Sequence, residues 1–247
     1  SLQLVAGRVL GVVGPNGAGK TSLIDGITGF GRLSGGTVVM RGRSLAGMRP
    51  HGRARLRLGR TFQNLELFDD LTVRENILTG LDRRGRRVYA SDLVHPGRGR
   101  LSATASAAVE MLQLTHDLDT VVSDLPQGRR RMVAIARLVA QEPLAICLDE
   151  PAAGLNGSER RTACHVFRGL ADDLGAAVLI VEHNIDVVSS ICDELIVLDF
   201  GRVIARGPTE EVLHDQRVRD AYLGKSGALV PSDVPIVAET VPAGLAG

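Results

Sequence analysis

The stretch of the chain best suited to chemistry is glycine-rich and lies between residues 14 and 22. It matches the phosphate-binding pattern GxxxxGK[ST] and adds a serine, as Gly14, Pro15, Asn16, Gly17, Ala18, Gly19, Lys20, Thr21 and Ser22. Glycines let the backbone wrap closely around phosphates, whose charge is met by N–H groups and a helix N-terminus. We expect Lys20 to reach the β- and γ-phosphates of a nucleotide and the Thr21 hydroxyl to bind Mg²⁺.

A second candidate site lies where an apolar run ends in two carboxylates. Residues 144–148 are all apolar, and Asp149 and Glu150 follow directly. Adjacent carboxylates at the end of a buried strand are costly unless a cation meets them. Asp149 is therefore predicted to hold Mg²⁺, directly or through water, and Glu150 is predicted to act as general base on an attacking water.

The elements that must position these residues alternate along the chain. The patterns predict strands at 9–13, 37–40, 144–148 and 177–181, and helices at 20–27, 72–81, 101–114, 128–140 and 185–191. A hairpin is predicted around the turn 199–202, whereas the basic, irregular stretch 41–60 favours a solvated surface. Strands that alternate with helices indicate an α/β fold with a mainly parallel sheet, interrupted by a helical middle.

The composition disfavours several other classes of protein. The chain has 29 basic and 28 acidic residues, a net charge of +1, so no strong field attracts nucleic acid. Aromatic residues make up 3% and tryptophan is absent, which disfavours a nucleic-acid module built on base stacking. No apolar run approaches the ~18 residues of a membrane span. Three widely spaced cysteines, Cys147, Cys164 and Cys192, predict buried thiols.

Taken in order, the motifs resemble those of the ABC-type ATPases, the nucleotide-binding subunits of transporters. The Q-loop is matched by residues 60–63, the signature region by 125–131, the D-loop by 153–156 and the switch-histidine segment by 181–183. The likeness runs from about Arg8 to Gly224. It implies a P-loop NTPase core of the ABC ATPase type with an inserted α-helical subdomain, ATP as substrate, Mg²⁺ as cofactor, and hydrolysis coupled to transport.

The resemblance also implies roles for single residues. It gives Gln63 the sensing of Mg²⁺ and of the attacking water, together with coupling to the membrane partner. It places His183 against the γ-phosphate, where the imidazole would stabilise the transition state. Asn156 would lie in the loop that faces a second ATPase subunit.

Several segments are similar to those of the ATP-binding subunits of branched-chain amino-acid importers. They are residues 14–19, 27–30, 61–64, 151–156 and 221–224. The resemblance implies transmembrane permease subunits as partners, a binding protein that feeds them from outside, and a peripheral location at the cytoplasmic face of the membrane. No nucleic-acid partner is expected.

The signature motif departs from the family pattern LSxGQ. It consists here of Leu125, Pro126, Gln127, Gly128 and Arg129. In this family the signature serine binds the γ-phosphate of ATP held by the opposite subunit, and proline has neither a hydroxyl nor an N–H. The resemblance therefore predicts a second, non-identical ATPase subunit, with a weakened site at the partner's phosphate loop and an intact site on this chain.

The motif order predicts four regions: P-loop core at 1–70 and 144–224, a helical signature subdomain at 71–143, and a tail or linker at 225–247. Two other readings stay open. A non-transport ABC ATPase of the DNA-repair type is disfavoured because only about 130 positions separate Lys20 from Asp149, without a sustained heptad pattern. A non-catalytic nucleotide-binding regulatory module is supported by Pro126 and opposed by Glu150 and His183.

Overall fold

The computed structural model describes residues 1–61, 65–80, 100–216 and 218. Its strands are β1 (Val9–Val13), β2 (Val39–Met40), β3 (Arg43–Ser44), β4 (Leu58–Arg60), β5 (Ala145–Asp149), β6 (Ala177–Val181), β7 (Glu194–Asp199) and β8 (Arg202–Pro208). The main sheet has the order β4-β5-β6-β1-β7-β8, and every neighbouring pair is parallel except β7–β8. The predicted α/β class with a mainly parallel sheet is confirmed.

The helices in the described ranges surround and interrupt this sheet. They are α1 (Lys20–Thr28), α2 (Pro50–Arg55), α3 (Val73–Gly80), α4 (Ala103–Met111), α5 (Gln127–Ala140), α6 (Gly157–Asp172), α7 (Ile185–Ile191) and α8 (Thr209–His214). Several begin at a side-chain cap: the Ser102 hydroxyl accepts from the Ala105 N–H at α4, and the Asn184 side chain accepts from the Asp186 N–H at α7. The five predicted helices correspond to α1, α3, α4, α5 and α7, and their ends differ from the prediction by at most a few residues.

Two apolar clusters cover the two faces of the sheet. On one face, Ile24 of α1 belongs to a cluster with Val12 of β1. On the other, Phe167 of α6 belongs to a cluster with Val13 of the same strand, because neighbouring side chains on a strand point to opposite faces. This second cluster continues into α3 and α5, so the helices between β4 and β5 share one core with the sheet.

The prediction of a solvated surface for residues 41–60 holds for most of the stretch, where all but four residues are exposed or half-buried, but the stretch is not irregular. This stretch forms β3, α2 and the edge strand β4. The hydrophobic pattern of the sequence does not reveal these elements, because the stretch has few apolar residues and one of its buried side chains is an arginine. The Arg53 side chain donates hydrogen bonds to the carbonyl oxygens of Gly26, Ile27, Leu45 and Met48, and so satisfies acceptors near the end of α1.

Other predictions have clear outcomes. The predicted strand at 37–40 is shorter, spanning Val39–Met40. The hairpin is present, with Phe200 and Gly201 as its two-residue turn. All three cysteines are free thiols: Cys147 and Cys192 are buried, and Cys164 is half-buried. No helix among the described residues is long and apolar enough to cross a membrane. The segment 221–224 and the expected tail at 225–247 lie outside the described residues.

Candidate functional site

The candidate site forms where the parallel strands end. β1 leads into the phosphate loop (residues 14–20), β5 ends at Asp149, and β6 is followed by Glu182 and His183. Carboxyl ends of parallel strands meet at one edge of a sheet, which is the usual position of ligand sites in such folds. The strand order β5-β6-β1 therefore places the two carboxylates, the histidine and the phosphate loop side by side.

The phosphate loop depends on its glycines. Gly17 and Gly19 have φ angles of 82° and 97°, in the left-handed region that other residues rarely adopt. A Cβ on Gly14 would lie 2.2 Å from the carbonyl oxygen of Leu198, so no side chain fits there. Gly19 caps the start of α1, and Thr21 and Ser22 are exposed in the first turn. The loop thus presents a helix N-terminus and exposed hydroxyls to solvent, which suits an anion.

The ammonium group of Lys20 lies across the phosphate loop. Nζ donates hydrogen bonds to the carbonyl oxygens of Gly14 at 2.7 Å and Pro15 at 3.0 Å. The residue is buried, and this burial lowers the pKa of Lys20, while the nearby charges of Glu150 and Asp149 oppose that shift. The cation is thus held inside the loop that would surround the phosphates.

Asp149 is buried at the end of β5 with its carboxylate unsatisfied. Neither carboxylate oxygen accepts a hydrogen bond from the described residues, although Nη2 of Arg60 lies 3.7 Å from Oδ2. Burial raises the pKa of Asp149, and Arg60 opposes that shift. The main chain of Asp149 is fixed by a hydrogen bond from its N–H to the Thr61 hydroxyl oxygen, 2.9 Å.

The residues present fit a magnesium ion. A buried carboxylate with free acceptor oxygens is a natural ligand for a hard cation, and the exposed Thr21 hydroxyl offers a second oxygen. Mg²⁺ characteristically binds one or two protein oxygens and completes its shell with phosphates and water. Within the described ranges, no group of three or more His, Cys, Asp and Glu side chains is placed to hold a metal ion by itself.

Glu150 and His183 are in direct contact. His183 Nε2 lies 2.6 Å from Glu150 Oε1, and both side chains remain partly exposed. The Glu150 backbone is held from two sides, since its N–H donates to the Val181 carbonyl and its own carbonyl accepts from Arg131 at 3.0 Å. A carboxylate fixed in this way beside an imidazole can accept a proton from a water molecule.

The sequence did not single out Glu182, Arg60 or Arg131 for a role. Glu182 is buried, and its carboxylate accepts from the backbone N–H groups of Ala152 and His183. Burial raises the pKa of Glu182, and those backbone bonds oppose the shift. Glu182 therefore orders the chain on both sides of the Glu150–His183 pair. A carboxylate between a strand and a histidine was visible in the sequence, but its inward direction was not.

The signature motif opens α5. Pro126 is the N-cap residue and makes no side-chain capping bond, and the helix begins one residue before the predicted Gly128. Leu125 packs against the core, and Arg129 forms an ion pair with Asp117 and is partly exposed. Gln127 is exposed. A Cβ on Gly128 would lie 2.6 Å from a Glu159 carboxylate oxygen, so any larger residue here would displace the end of that side chain.

Asn156 caps α6 in a reciprocal arrangement. Its Oδ1 accepts from the N–H of Ser158 and of Glu159, and the Glu159 carboxylate accepts from the Asn156 N–H. Asn156 is exposed and has a structural role independent of any partner. Gln63 lies outside the described residues. Of the predicted site residues, the structure brings together Lys20, Asp149, Glu150 and His183.

A cavity of about 670 Å³ lies between β4 and α5. Its wall combines aromatic and charged side chains, including Phe30, Phe68, Arg137 and Arg131. Phe30 and Phe68 are exposed. Asp149 also belongs to this wall, and so it joins the cavity to the phosphate-binding region.

A parallel sheet with a phosphate loop after one strand and carboxylates after a near neighbour places the chain among the P-loop nucleoside triphosphatases. Comparison with known proteins narrows this class. A family model described as "ABC transporter" matches residues 1–153, and one described as "Branched-chain amino acid ATP-binding cassette transporter" matches residues 202–228. The chain belongs to the ABC transporter family, as an ATP-binding subunit and ATPase.

Individual relatives agree with this family. The chain is 33% identical over 231 residues to the high-affinity branched-chain amino acid transport ATP-binding protein LivG of Salmonella typhimurium, covering 92% of this chain and 91% of LivG. It is 32% identical over 225 residues to the lipopolysaccharide export system ATP-binding protein LptB of Haemophilus influenzae, covering 91% and 89%. A solved ADP conformation of MJ1267, an ATP-binding cassette of an ABC transporter, superposes with a TM-score of 0.76 at 29% identity, covering 91% of both chains.

Proposed function

We propose that this chain binds ATP with Mg²⁺ and hydrolyses it to drive import of branched-chain amino acids. The observation that carries the catalytic part is the 2.6 Å contact between His183 Nε2 and Glu150 Oε1, beside the phosphate loop that holds Lys20. The cargo rests on the likeness to LivG and on the match of residues 202–228.

The proposed reaction assigns each group a task. The phosphate loop and Lys20 hold the β- and γ-phosphates, while Asp149 and Thr21 hold Mg²⁺, which neutralises charge on the phosphates when bound. Glu150 accepts a proton from water as the water oxygen attacks the γ-phosphorus, and ADP leaves with the electrons of the broken P–O bond. His183 holds the Glu150 carboxylate and donates toward the γ-phosphate.

The remaining assignments concern partners. We propose that Gln63 senses Mg²⁺ and the attacking water and that transmembrane permeases contact the chain at the cavity beside Asp149, where Phe30 and Phe68 are exposed. The signature motif and Asn156 face a second, non-identical ATPase subunit. A binding protein outside the membrane delivers the cargo, and this chain works at the cytoplasmic face. Residues 71–143 act as the signature subdomain between two parts of the P-loop core.

The test is transport by the assembled complex in proteoliposomes with ATP inside. We expect labelled leucine, isoleucine or valine to accumulate, and we expect Glu150→Gln to abolish uptake while ATP still binds. Absence of uptake for all three amino acids would reject the cargo. Unchanged ATP turnover in the Glu150→Gln complex would reject the general base.

The likeness to LptB supports a second candidate, ATP hydrolysis that drives export of a lipid. The observation that favours this candidate is that LptB and LivG are almost equally similar to this chain, at 32% and 33% identity. The same proteoliposomes distinguish the two functions. In a lipid exporter, lipopolysaccharide in the membrane would raise the rate of ATP hydrolysis, and leucine would not change it.

A further inference from the structure

Phe200, in the turn between β7 and β8, is unusual in both exposure and backbone. The residue is 83% exposed, the highest value among the large apolar residues that the structure describes. Its φ is 43°, and that of the following Gly201 is 76°. A two-residue hairpin turn with two positive φ angles favours Asn-Gly or Asp-Gly, and a phenylalanine there is strained. A residue that is both exposed and strained suggests a functional reason for its presence.

The turn is attached to the phosphate loop. The Gly201 N–H donates a hydrogen bond of 2.9 Å to the carbonyl oxygen of Ala18. At the start of the loop, the carbonyl of Leu198 lies so near Gly14 that a Cβ there would approach it to 2.2 Å. Two separate points of the loop therefore touch the β7–β8 hairpin, one at its turn and one at the end of β7, and the position of Phe200 follows the position of the loop.

The strand order gives the direction in which a bound nucleotide must run. Glu150 and His183 follow β5 and β6, which lie on one side of β1, whereas β7 lies on the other side. In the proposed function, which this inference extends, the terminal phosphate faces Glu150 and His183. The phosphate chain then crosses the loop away from β6, so the nucleoside emerges on the side of β7, where Phe200 is exposed.

We propose that the ring of Phe200 stacks on the purine base of the nucleotide held by the phosphate loop. An aromatic face recognises a base through its π-surface and needs no hydrogen bond to the base edge. The strained, exposed position is then explained, because contact with the base covers a ring that solvent otherwise surrounds. The alternative occupant is a protein partner that covers Phe200, and the experiment separates the two.

Because this chain has no tryptophan, the fluorescence of one introduced tryptophan reports directly on its surroundings. Phe200→Trp introduces a single indole at the turn, and Leu174→Trp introduces one at another exposed apolar position, just beyond the end of α6. We expect ATP with Mg²⁺ to change the fluorescence of the Phe200→Trp chain over the concentration range in which calorimetry shows binding. Tripolyphosphate, which fills the loop but has no base, should leave it unchanged, and the Leu174→Trp chain should respond to neither.

A second variant separates the ring from the turn. Asparagine suits the left-handed backbone, so Phe200→Asn should keep or raise the melting temperature. Without the ring, we expect the affinity for ATP to fall roughly 5- to 100-fold, while the affinity for tripolyphosphate stays within about twofold of the unmodified chain.

Three results would overturn the inference: an ATP-insensitive Phe200→Trp signal while calorimetry shows ATP binding, an equal response to tripolyphosphate, or unchanged ATP affinity in Phe200→Asn. The second and third would indicate that the turn acts through the loop or serves a protein partner. A chain that binds neither ATP nor tripolyphosphate would instead overturn the proposed function, and this inference with it.

Discussion

The guanidinium of Arg131 donates a hydrogen bond to the backbone carbonyl of Glu150, with 3.0 Å between Nη1 and the oxygen. Glu150 has a φ of 48°, a conformation that costs free energy in any residue other than glycine. Arg131 belongs to α5, the helix that begins at the signature motif. The helix following the signature motif therefore holds the proposed general base by its main chain.

Arg131→Met should reduce ATP turnover through this contact. A hydrogen bond from a charged donor contributes about 1.5–3 kcal/mol, so we expect kcat to fall at least about 10-fold. KM for ATP should change little, because Arg131 has no part in the phosphate loop. Arg130→Met is the matched control: Arg130 lies one residue earlier and pairs with the exposed Asp69. An equal loss in both variants would mean that the helix itself has been disturbed.

Asp149→Asn should stabilise the chain in the absence of nucleotide. Burial raises the pKa of Asp149 above its ordinary value of 3.8, so the folded protein binds this proton more tightly than the unfolded chain does. The ionised carboxylate therefore lowers stability as pH rises through the raised pKa. We expect the variant to have a higher free energy of unfolding at pH 7 than the unmodified chain, measured by urea denaturation.

The pH dependence provides the internal check. Stability of the unmodified chain should decline from about pH 4 upwards through the raised pKa, relative to the Asp149→Asn variant. Asp172 has the opposite sign, since its hydrogen bonds from Arg168 lower the pKa of that exposed carboxyl. Asp172→Asn should therefore bring no gain in stability at pH 7. Parallel pH curves for the Asp149→Asn and unmodified chains would contradict the expectation.

Pro126→Ser should act on both stability and turnover. The serine hydroxyl can cap α5, which Pro126 leaves uncapped, and this should add about 0.5–2 kcal/mol to stability. In the assembled complex the same hydroxyl could meet the partner's nucleotide, and we expect turnover to rise about 10-fold. Pro126→Ala is the control, because it restores the N–H without the hydroxyl. Equal turnover in all three proteins would reject a role for the missing hydroxyl.

Arg53→Met should destabilise the fold without touching the site directly. Its buried guanidinium satisfies four carbonyl oxygens, two of them in α1, and its loss leaves buried acceptors without partners. We expect the free energy of unfolding to fall by about 2–4 kcal/mol in urea. Arg55→Met on the same helix changes an exposed arginine and should cost less than about 0.5 kcal/mol. Similar losses in both would indicate that α2 depends on its charge alone.

Periodicity and turn chemistry were sufficient for most of the sheet. β1 and β6 are continuous apolar runs, and β7 and β8 flank a recognisable turn, so burial alone indicates them. β4 could not be found in this way, because Leu58–Arg60 is three residues long and ends in an arginine whose side chain turns inward toward Asp149. Short edge strands and buried charges are decided by tertiary contacts that a local pattern does not contain.

The candidate site, like the sheet, could be predicted from the sequence only in part. The phosphate loop and the two carboxylates are contiguous in sequence, so their motifs predict them. The contact of Glu150 with His183 joins residues 33 positions apart, and the bond from Arg131 arrives from another helix. Neither distance follows from spacing along the chain. The capping role of Asn156 was equally hidden behind the role that the family likeness implied.

The position of β1 in the sheet has a consequence for biosynthesis. All five of its residues are buried, yet Val9 pairs with Val178 and Leu10 with Glu194, near the opposite end of the described chain. The ribosome synthesises β1 early, whereas β6 and β7, the two strands that pair with it, are synthesised much later. Until then this apolar strand has no partner in the sheet. Long-range parallel pairing is slow and leaves such strands open to aggregation. We therefore expect expression to depend on chaperones. Slower translation should lower the soluble yield, because it prolongs the time during which β1 is unpaired.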